Sequence, residues 1–341
     1  MALPVTQLGA VPNSSQGVAV KKLFVNAFLK NDTERTLFLT GDLGFNALEP
    51  IRDALKGRFI NTGIAEQNMV SVSAGLAKTG FSVWVYSIAP FCYARPFEQV
   101  RNDVCLHGLP VHLVGNGGGY GYGVMGATHH ALEDYGVLLT LPNMRVYIPA
   151  FGSDLDYIIP RVQEQCCPSY LRLGKCEKPA GFVPPPYKPW RKLKEGDGLV
   201  LISVGAITGG IFGAVQDLLD VEVWAVTELP LKIEDIPDFG GRSIWVVEEH
   251  VAQGSFGQII AAHILQKNMK ITEFRHFCAK GYPTHTYGSQ EFHRKESGID
   301  CTYLREQLLD DITVEDYNAG VGWMPGYPKG YHRVSYSKDR S

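Results

Sequence analysis

Arg58 to Ala77 reads as a short strand, a tight turn at Gly63 and a helix of small and apolar residues with one carboxylate, Glu66, in its opening. Any Glu placed there complements the helix dipole and needs no further role. Ala65, Met69, Val70, Val72, Ala74 and Leu76 make the element apolar nearly all round, so Glu66 is expected at a largely buried strand end, where parallel sheets bind ligands. Desolvation at such a place favours the neutral carboxyl, which donates a hydrogen bond and can take part in proton transfer. A second chemical group is His129-His130. With Glu133 these make a poor metal set, because adjacent helical side chains point apart and no H-E-x-x-H is present; no metal site is expected. The cluster from Gly115 to Gly126 contains the spacing G-x-G-x-x-G at Gly121, Gly123 and Gly126. It starts too far past the preceding strand, and Leu141 to Ala150 lacks the acidic residue that would hold a ribose. A flexible loop close to a ligand is the expectation, since glycine lets the backbone approach closely.

The elements that must position these groups fall into two blocks of alternating strands and helices. In the first, Thr36–Thr40, Arg58–Asn61, Ser82–Ser87, Val111–Val114, Arg145–Ile148 and Ser169–Leu173 read as strands, which with helices between them implies a mostly parallel sheet. The second reads as strands Leu199–Val204, Val221–Val226 and Ser243–Glu248, helices near Ile211–Leu219 and Gly254–Leu265, and a short strand near Ile271–Phe274. The proline-rich run Phe182 to Trp190 separates them, since neither a helix nor a central strand tolerates it. The expected division is an N-terminal arm 1–14, a first α/β domain 15–181, a linker 182–195, a smaller α/β domain 196–313 and an aperiodic tail 314–341. The 341 residues suffice for both domains, and a net charge of −3, from 32 Lys plus Arg against 35 Asp plus Glu, leaves no basic block for nucleic acid. No apolar run reads as a membrane span. The opening MALPVTQLGAVPNSSQG lacks the pattern of a secretory signal, and the seven cysteines form no C-x-x-C pair, so a cytoplasmic protein with reduced thiols is expected.

Taken together, these stretches resemble the pyrimidine-binding domain of the transketolase family, where G-I-x-E-Q-x-M-x-x-x-A-x-G-L-A surrounds a catalytic glutamate, here Gly63 to Ala77. The resemblance continues in order through Tyr86 to Asp103, Gly126-Ala-Thr-His129-His130, Leu141-Pro-Asn-Met144 and Pro168 to Lys175, and Val246-Val-Glu-Glu-His-Val-Ala-Gln-Gly254 resembles the V-E-E-H-x-x-x-G of the family's C-terminal domain. It implies two three-layer α/β domains and thiamine diphosphate as cofactor. Glu66 would hydrogen-bond N1′ of the aminopyrimidine and favour its imino form, Phe91 would stack on that ring, and Ile64 and Asp42 would lie beside the cofactor. His129 would bind substrate hydroxyls or shuttle protons, with His130 next to it, and Arg95 and Lys175 would meet a terminal phosphate. Ala127 stands where the family has proline, Lys175 where relatives have Arg, and the glycine cluster replaces a more polar loop.

One part of the family's pattern is missing. Gly196-Asp197-Gly198 is not followed by an Asn until Asn268, so it reads as a turn rather than a magnesium-diphosphate site. The resemblance therefore implies a partner subunit that carries the diphosphate and most of the Mg²⁺ ligation, an α₂β₂ assembly, and no activity in the chain alone. Ketol transfer from a ketose, with or without phosphate, to an aldose is the function implied. The alternatives are the β subunit of a 2-oxoacid dehydrogenase and a non-catalytic scaffold paralogue; Thr128-His129-His130 and Leu-Pro-Asn-Met favour transketolase.

Overall fold

The protein is described here by a computed structural model, in which residues 15–231 and 236–318 are placed. Its strands are β1 (Thr36–Thr40), β2 (Phe59–Asn61), β3 (Ser82–Ile88), β4 (Val111–Asn116), β5 (Arg145–Tyr147), β6 (Ser169–Leu173), β7 (Trp190–Lys194), β8 (Val200–Val204), β9 (Glu222–Val226), β10 (Glu228–Leu229), β11 (Ser243–Glu248) and β12 (Glu273–Phe277). The α-helices are α1 (Ser15–Lys30), α2 (Glu49–Leu55), α3 (Glu66–Lys78), α4 (Ala89–Tyr93), α5 (Phe97–Gln99), α6 (Asp134–Leu138), α7 (Leu155–Glu164), α8 (Thr208–Val215), α9 (Phe256–Gln266), α10 (Gln290–Ser297) and α11 (Cys301–Asn318).

The strands form a seven-stranded sheet in the order β10-β5-β6-β4-β3-β1-β2 and a five-stranded sheet in the order β12-β11-β8-β9-β7. β1, β4, β6 and β8 are buried along their whole length, as parallel strands covered by helices on both faces must be. Every pairing is parallel except those of two edge strands, β10 on β5 and β7 on β9. Neither edge strand was expected. Trp190–Lys194 lies inside the stretch read as a linker, but its prolines end at Pro189, and an edge position suits a strand that follows prolines. β10 is two residues from the later half of the chain that close the outer edge of the first sheet. The last strand sits two residues later than expected, and α11 continues past residue 313 to Asn318. The arm 1–14 and the tail from 319 lie outside the described residues. Among the described residues no helix is long and apolar enough to cross a membrane.

Parallel pairing has one consequence for function. The turns that follow β1, β2, β3, β4 and β6 all emerge at the same edge of the first sheet, and they carry Asp42, Glu66, Phe91 with Arg95, the glycine cluster with His129, and Lys175. The two halves are joined by buried polar contacts. Arg191 of β7 donates twice to Asp154 at 2.7 and 2.8 Å. Glu248 of β11 accepts from Tyr135 of α6, from the backbone of Phe256 and Gly257, and from His276.

β4 also carries a pH-sensitive group. His112 is 1% exposed, with Nδ1 2.9 Å from Ser169 Oγ, and burial pushes its pKa down to about 3. Below about pH 6.5 the unfolded chain gains a proton that the folded chain does not. Stability is therefore lost as the pH falls from that value towards the folded pKa, at about 1.4 kcal/mol per pH unit. Thermal melts from pH 7 to 4 should show a shallower decline for His112→Asn than for the wild type; equal slopes would remove His112 from the acid response.

Candidate active site

The turn at Gly63 brings two loops of the sheet edge together. Gly63 adopts φ +73°, its N–H donates to Asn61 Oδ1 at 2.8 Å, and its carbonyl accepts from the N–H of Asp42 at 3.2 Å. α3 then starts at Glu66, whose side chain is 7% exposed. The helix packs Met69, Val70, Ser73, Ala74 and Ala77 into the core of its own domain, while Gln67, Asn68, Ser71, Val72 and Gly75 face outward. The expectation of an element apolar nearly all round is thus corrected: the helix has one buried stripe at helical spacing and a polar, small-residue outer face.

Glu66 is not alone. Arg95 Nη1 donates to its Oε1 at 2.9 Å, and the Arg95 guanidinium lies over the Phe91 ring, 3.6 Å from the centroid. Phe91 belongs to α4, which has Pro90 in its first turn after the buried β3; the next turn of chain carries Arg95. The His129 ring meets Phe91 edge-on at 5.2 Å and Tyr122 at 6.3 Å, and its Nδ1 lies 3.0 Å from Thr128 Oγ1. Partial burial, and then the charge of Arg95, hold the His129 pKa below its ordinary value, so this imidazole is neutral at pH 7 and able to accept a proton. A guanidinium has only donors, so Glu66 Oε1 accepts from Arg95.

The other expected site residues are distributed around this cluster. Asp42 is exposed beside Asn61, whose Nδ2 lies 3.4 Å away, and Ile64 is 82% exposed, as is Phe45 at 77%. Lys175 follows β6, which β4 separates from β3, about 10 Å across the sheet from the strand leading to Arg95. His130 points away from the cluster. It is 6% exposed and packs against Tyr120, Tyr282 and His293 at centroid distances of 5.1, 5.9 and 4.8 Å.

The glycine cluster differs from the expectation of a flexible loop. It is packed against the second domain: Gly119 has φ +64°, and a Cβ there would come within 2.5 Å of Glu249 Oε1. At Gly119 the missing side chain admits this close approach of backbone to the second domain. Gly196-Asp197-Gly198 is a turn between β7 and β8, with Arg242 donating to the carbonyls of Gly196 and Gly198 at 2.8 Å. Two features escaped sequence reasoning. Tyr122 stands beside His129, and its signal was an aromatic between glycines. Glu249, Gln290, His293 and Arg294 hold the glycine loop from the other domain, for which no local pattern exists.

Comparison with known proteins decides the family. The profile of the transketolase pyrimidine-binding domain matches residues 9–179. The chain belongs to the transketolase family. It is similar to an apulose-4-phosphate transketolase subunit of Actinobacillus succinogenes, at 29% identity over 299 residues, covering 84% of this chain and 94% of that one. A 1-deoxy-D-xylulose-5-phosphate synthase 2 of Geobacter sulfurreducens is 31% identical over 277 residues, covering 77% of this chain and 42% of that enzyme. Among solved structures, a split-gene transketolase described as an inactive β4 tetramer superposes with a TM-score of 0.71 at 25% identity, covering 87% of this transketolase chain and 98% of that chain.

Proposed function

We propose that this chain is the pyrimidine-side subunit of a two-component, thiamine diphosphate-dependent transketolase that moves a two-carbon ketol unit from a ketose phosphate to an aldose, in the cytoplasm. The observation that carries the reading is the slot between Glu66 and Phe91. It already accommodates a flat hydrogen-bond donor, the Arg95 guanidinium, stacked on Phe91 and bonded to Glu66. An aminopyrimidine offers the same flat face and the same need for a carboxyl partner, so the residues present fit the cofactor. When bound, thiamine diphosphate supplies the nucleophilic carbon that takes up and passes on the ketol unit. Glu66 would hold the ring and its proton, Phe91 would support the ring face, and His129 would bind a substrate hydroxyl and move its proton. Asp42 and Ile64 would border the cofactor, and Lys175 together with a displaced Arg95 would meet the substrate phosphate. His130, turned into the domain contact, is reassigned from substrate binding to structure.

The same reading keeps the pyrimidine-binding domain at 15–181 and shortens the connector to 182–189, so that the C-terminal domain begins with β7. Mg²⁺ and the diphosphate fall to a partner subunit, in an α₂β₂ assembly, and exposed Ile64 and Phe45 lie where that partner would close the site. The likenesses to an apulose-4-phosphate transketolase subunit and to a split-gene transketolase support ketol transfer over the 2-oxoacid dehydrogenase alternative, and make apulose 4-phosphate the first ketose to try. The assembled Glu66, Phe91 and His129 support an enzyme over a scaffold paralogue.

Calorimetric titration of thiamine diphosphate with Mg²⁺ should show binding by the co-expressed pair and none by the chain alone; tight binding by the chain alone would overturn the shared site. In the pair, Arg95→Ala should tighten cofactor binding roughly tenfold, because one charge-assisted hydrogen bond and one cation–π contact no longer compete for the slot. The same variant should raise KM for a phosphorylated ketose. Unchanged cofactor affinity would place Arg95 outside the slot.

A further inference from the structure

We infer that His293, on α10 of the second domain, is a positioning residue for His129, acting through the carbonyl of Gly123; this rests on the substrate role proposed for His129. The chain from Gly123 to His129 consists of two 3₁₀ turns, Gly123–Met125 and Ala127–His129. They are linked in series: Gly126 N–H donates to Gly123 O at 3.1 Å, and His129 N–H donates to Gly126 O at 3.0 Å. Gly123 O is thus the root from which His129 hangs. That carbonyl also faces two imidazoles, His293 Nε2 at 3.2 Å and His130 Nε2 at 3.4 Å. A carbonyl only accepts, so each ring that bonds it presents Nε2–H.

The surroundings leave His293 little freedom. It is 1% exposed and stacks on Tyr120 of the same loop, with centroids 5.2 Å apart and planes at 20°. Gly123 itself lies against the start of α10, where an added Cβ would approach Gln290 N to 2.7 Å. One carboxylate locks helix and loop together. Glu249 accepts from the backbone N–H of Tyr120, from Gln290 Nε2 at 2.9 Å and from Arg294 Nε at 2.8 Å. Glu249 and Arg294 therefore fix α10 against the loop, and His293 is the side chain through which α10 bonds the root of the turns. Among the described residues the imidazole of His129 makes ring contacts with first-domain residues, Phe91 and Tyr122, so its height above Phe91 is set by backbone held from the other domain.

The test uses the co-expressed pair, with apulose 4-phosphate as ketose and a short aldose phosphate as acceptor. His293→Phe keeps a flat ring without a donor, and His293→Gln keeps a donor at the reach of Nε2. A misplacement of the order of 1 Å costs about a hundredfold in rate, so His293→Phe should lower kcat about ten- to hundredfold. Its thiamine diphosphate affinity should stay within about twofold, because Glu66 and Phe91 are carried by α3 and α4 rather than by α10. His293→Gln should recover most of kcat. Amide hydrogen exchange in residues 123–130, which needs no substrate, should be faster in the Phe variant and native-like in the Gln variant. Equal behaviour of Phe and Gln, in rate or in exchange, would mean that the ring only fills space and would overturn the inference. His129→Ala separates the two readings. If it turns over normally, the role of His129 and the inference fall together; if it is inactive while His293→Phe is normal, only the inference falls.

Discussion

Glu66→Ala in the assembled enzyme is expected to lower kcat about 10³-fold, within the range that a positioned proton donor or acceptor contributes, while leaving the fold and the partner contact in place. The structural cost is small. Glu66 opens α3, so its loss removes a favourable charge at a helix N-terminus, worth about 0.3–1 kcal/mol. Its side-chain partner among the described residues, Arg95, is 45% exposed and can turn to water. With the carboxylate gone, the half-exposed guanidinium regains water and no buried charge is left unpaired. Glu66→Gln tests the proton specifically: the amide keeps size and hydrogen bonding but cannot cycle a proton, so it too should remain far below the wild type. Steady-state rates with saturating cofactor, set beside thermal melts of the same samples, make the measurement. A variant retaining more than a tenth of wild-type kcat would remove Glu66 from proton handling.

Arg172→Met should have the largest effect on stability, about 3–5 kcal/mol, the usual result of stripping one partner from a buried ion pair. Arg172 is 6% exposed and Asp134 is fully buried. Arg172 Nε donates to Asp134 Oδ2 at 2.8 Å, and its Nη2 donates to the carbonyls of Ala131 and Glu249 at 2.7 and 2.8 Å. Asp134 also accepts from Tyr170 Oη at 2.7 Å and from the N–H of Tyr135 at 2.9 Å. The substitution leaves a buried carboxylate without its cation and takes one donor from each of two carbonyls: Ala131 O keeps the N–H of Gly119 at 2.9 Å, while Glu249 O, in the second domain, loses the guanidinium. Urea unfolding should show a lower midpoint for both domains, and the double variant Asp134→Asn/Arg172→Met should lose less than the two single losses added. A single-variant loss below about 1 kcal/mol would show that water or a neighbouring donor replaces the guanidinium.

These two residues differ in how much of their role could be read from the chain alone. Glu66 was legible because its signal is local: a strand, a turn at Gly63 and a helix opening occupy one short stretch, and the flanking motifs appear in a fixed order. His129 and Phe91 were singled out through the resemblance to the transketolase family, whose motifs follow one another in order along this chain. Arg172 was not singled out, because nothing within a few residues of it shows that Asp134, 38 positions away, and the Glu249 carbonyl, 77 away, will enclose it. The strands of both sheets were legible from β-branched runs between helical segments, whereas β7 and β10 were missed because short edge strands carry no alternation strong enough to mark them.

By itself, then, the sequence determined the α/β class and the stretches that end at one edge of a parallel sheet, which rest on residue types and spacings within single segments; the chemistry expected of Glu66, Phe91 and His129 came with the resemblance to the transketolase family. Tertiary structure alone decided that Arg95 bridges Glu66 and Phe91, that adjacent His129 and His130 serve opposite sides of their turn, and that the glycine cluster is a packed joint between domains. Each depends on contacts between residues brought together by strand order, from Glu66 and Arg95, 29 positions apart, to Gly123 and His293, 170 apart. Periodicity tells which face of one element is buried; the partner on the other side of that face is set only when the sheets assemble and their turns meet.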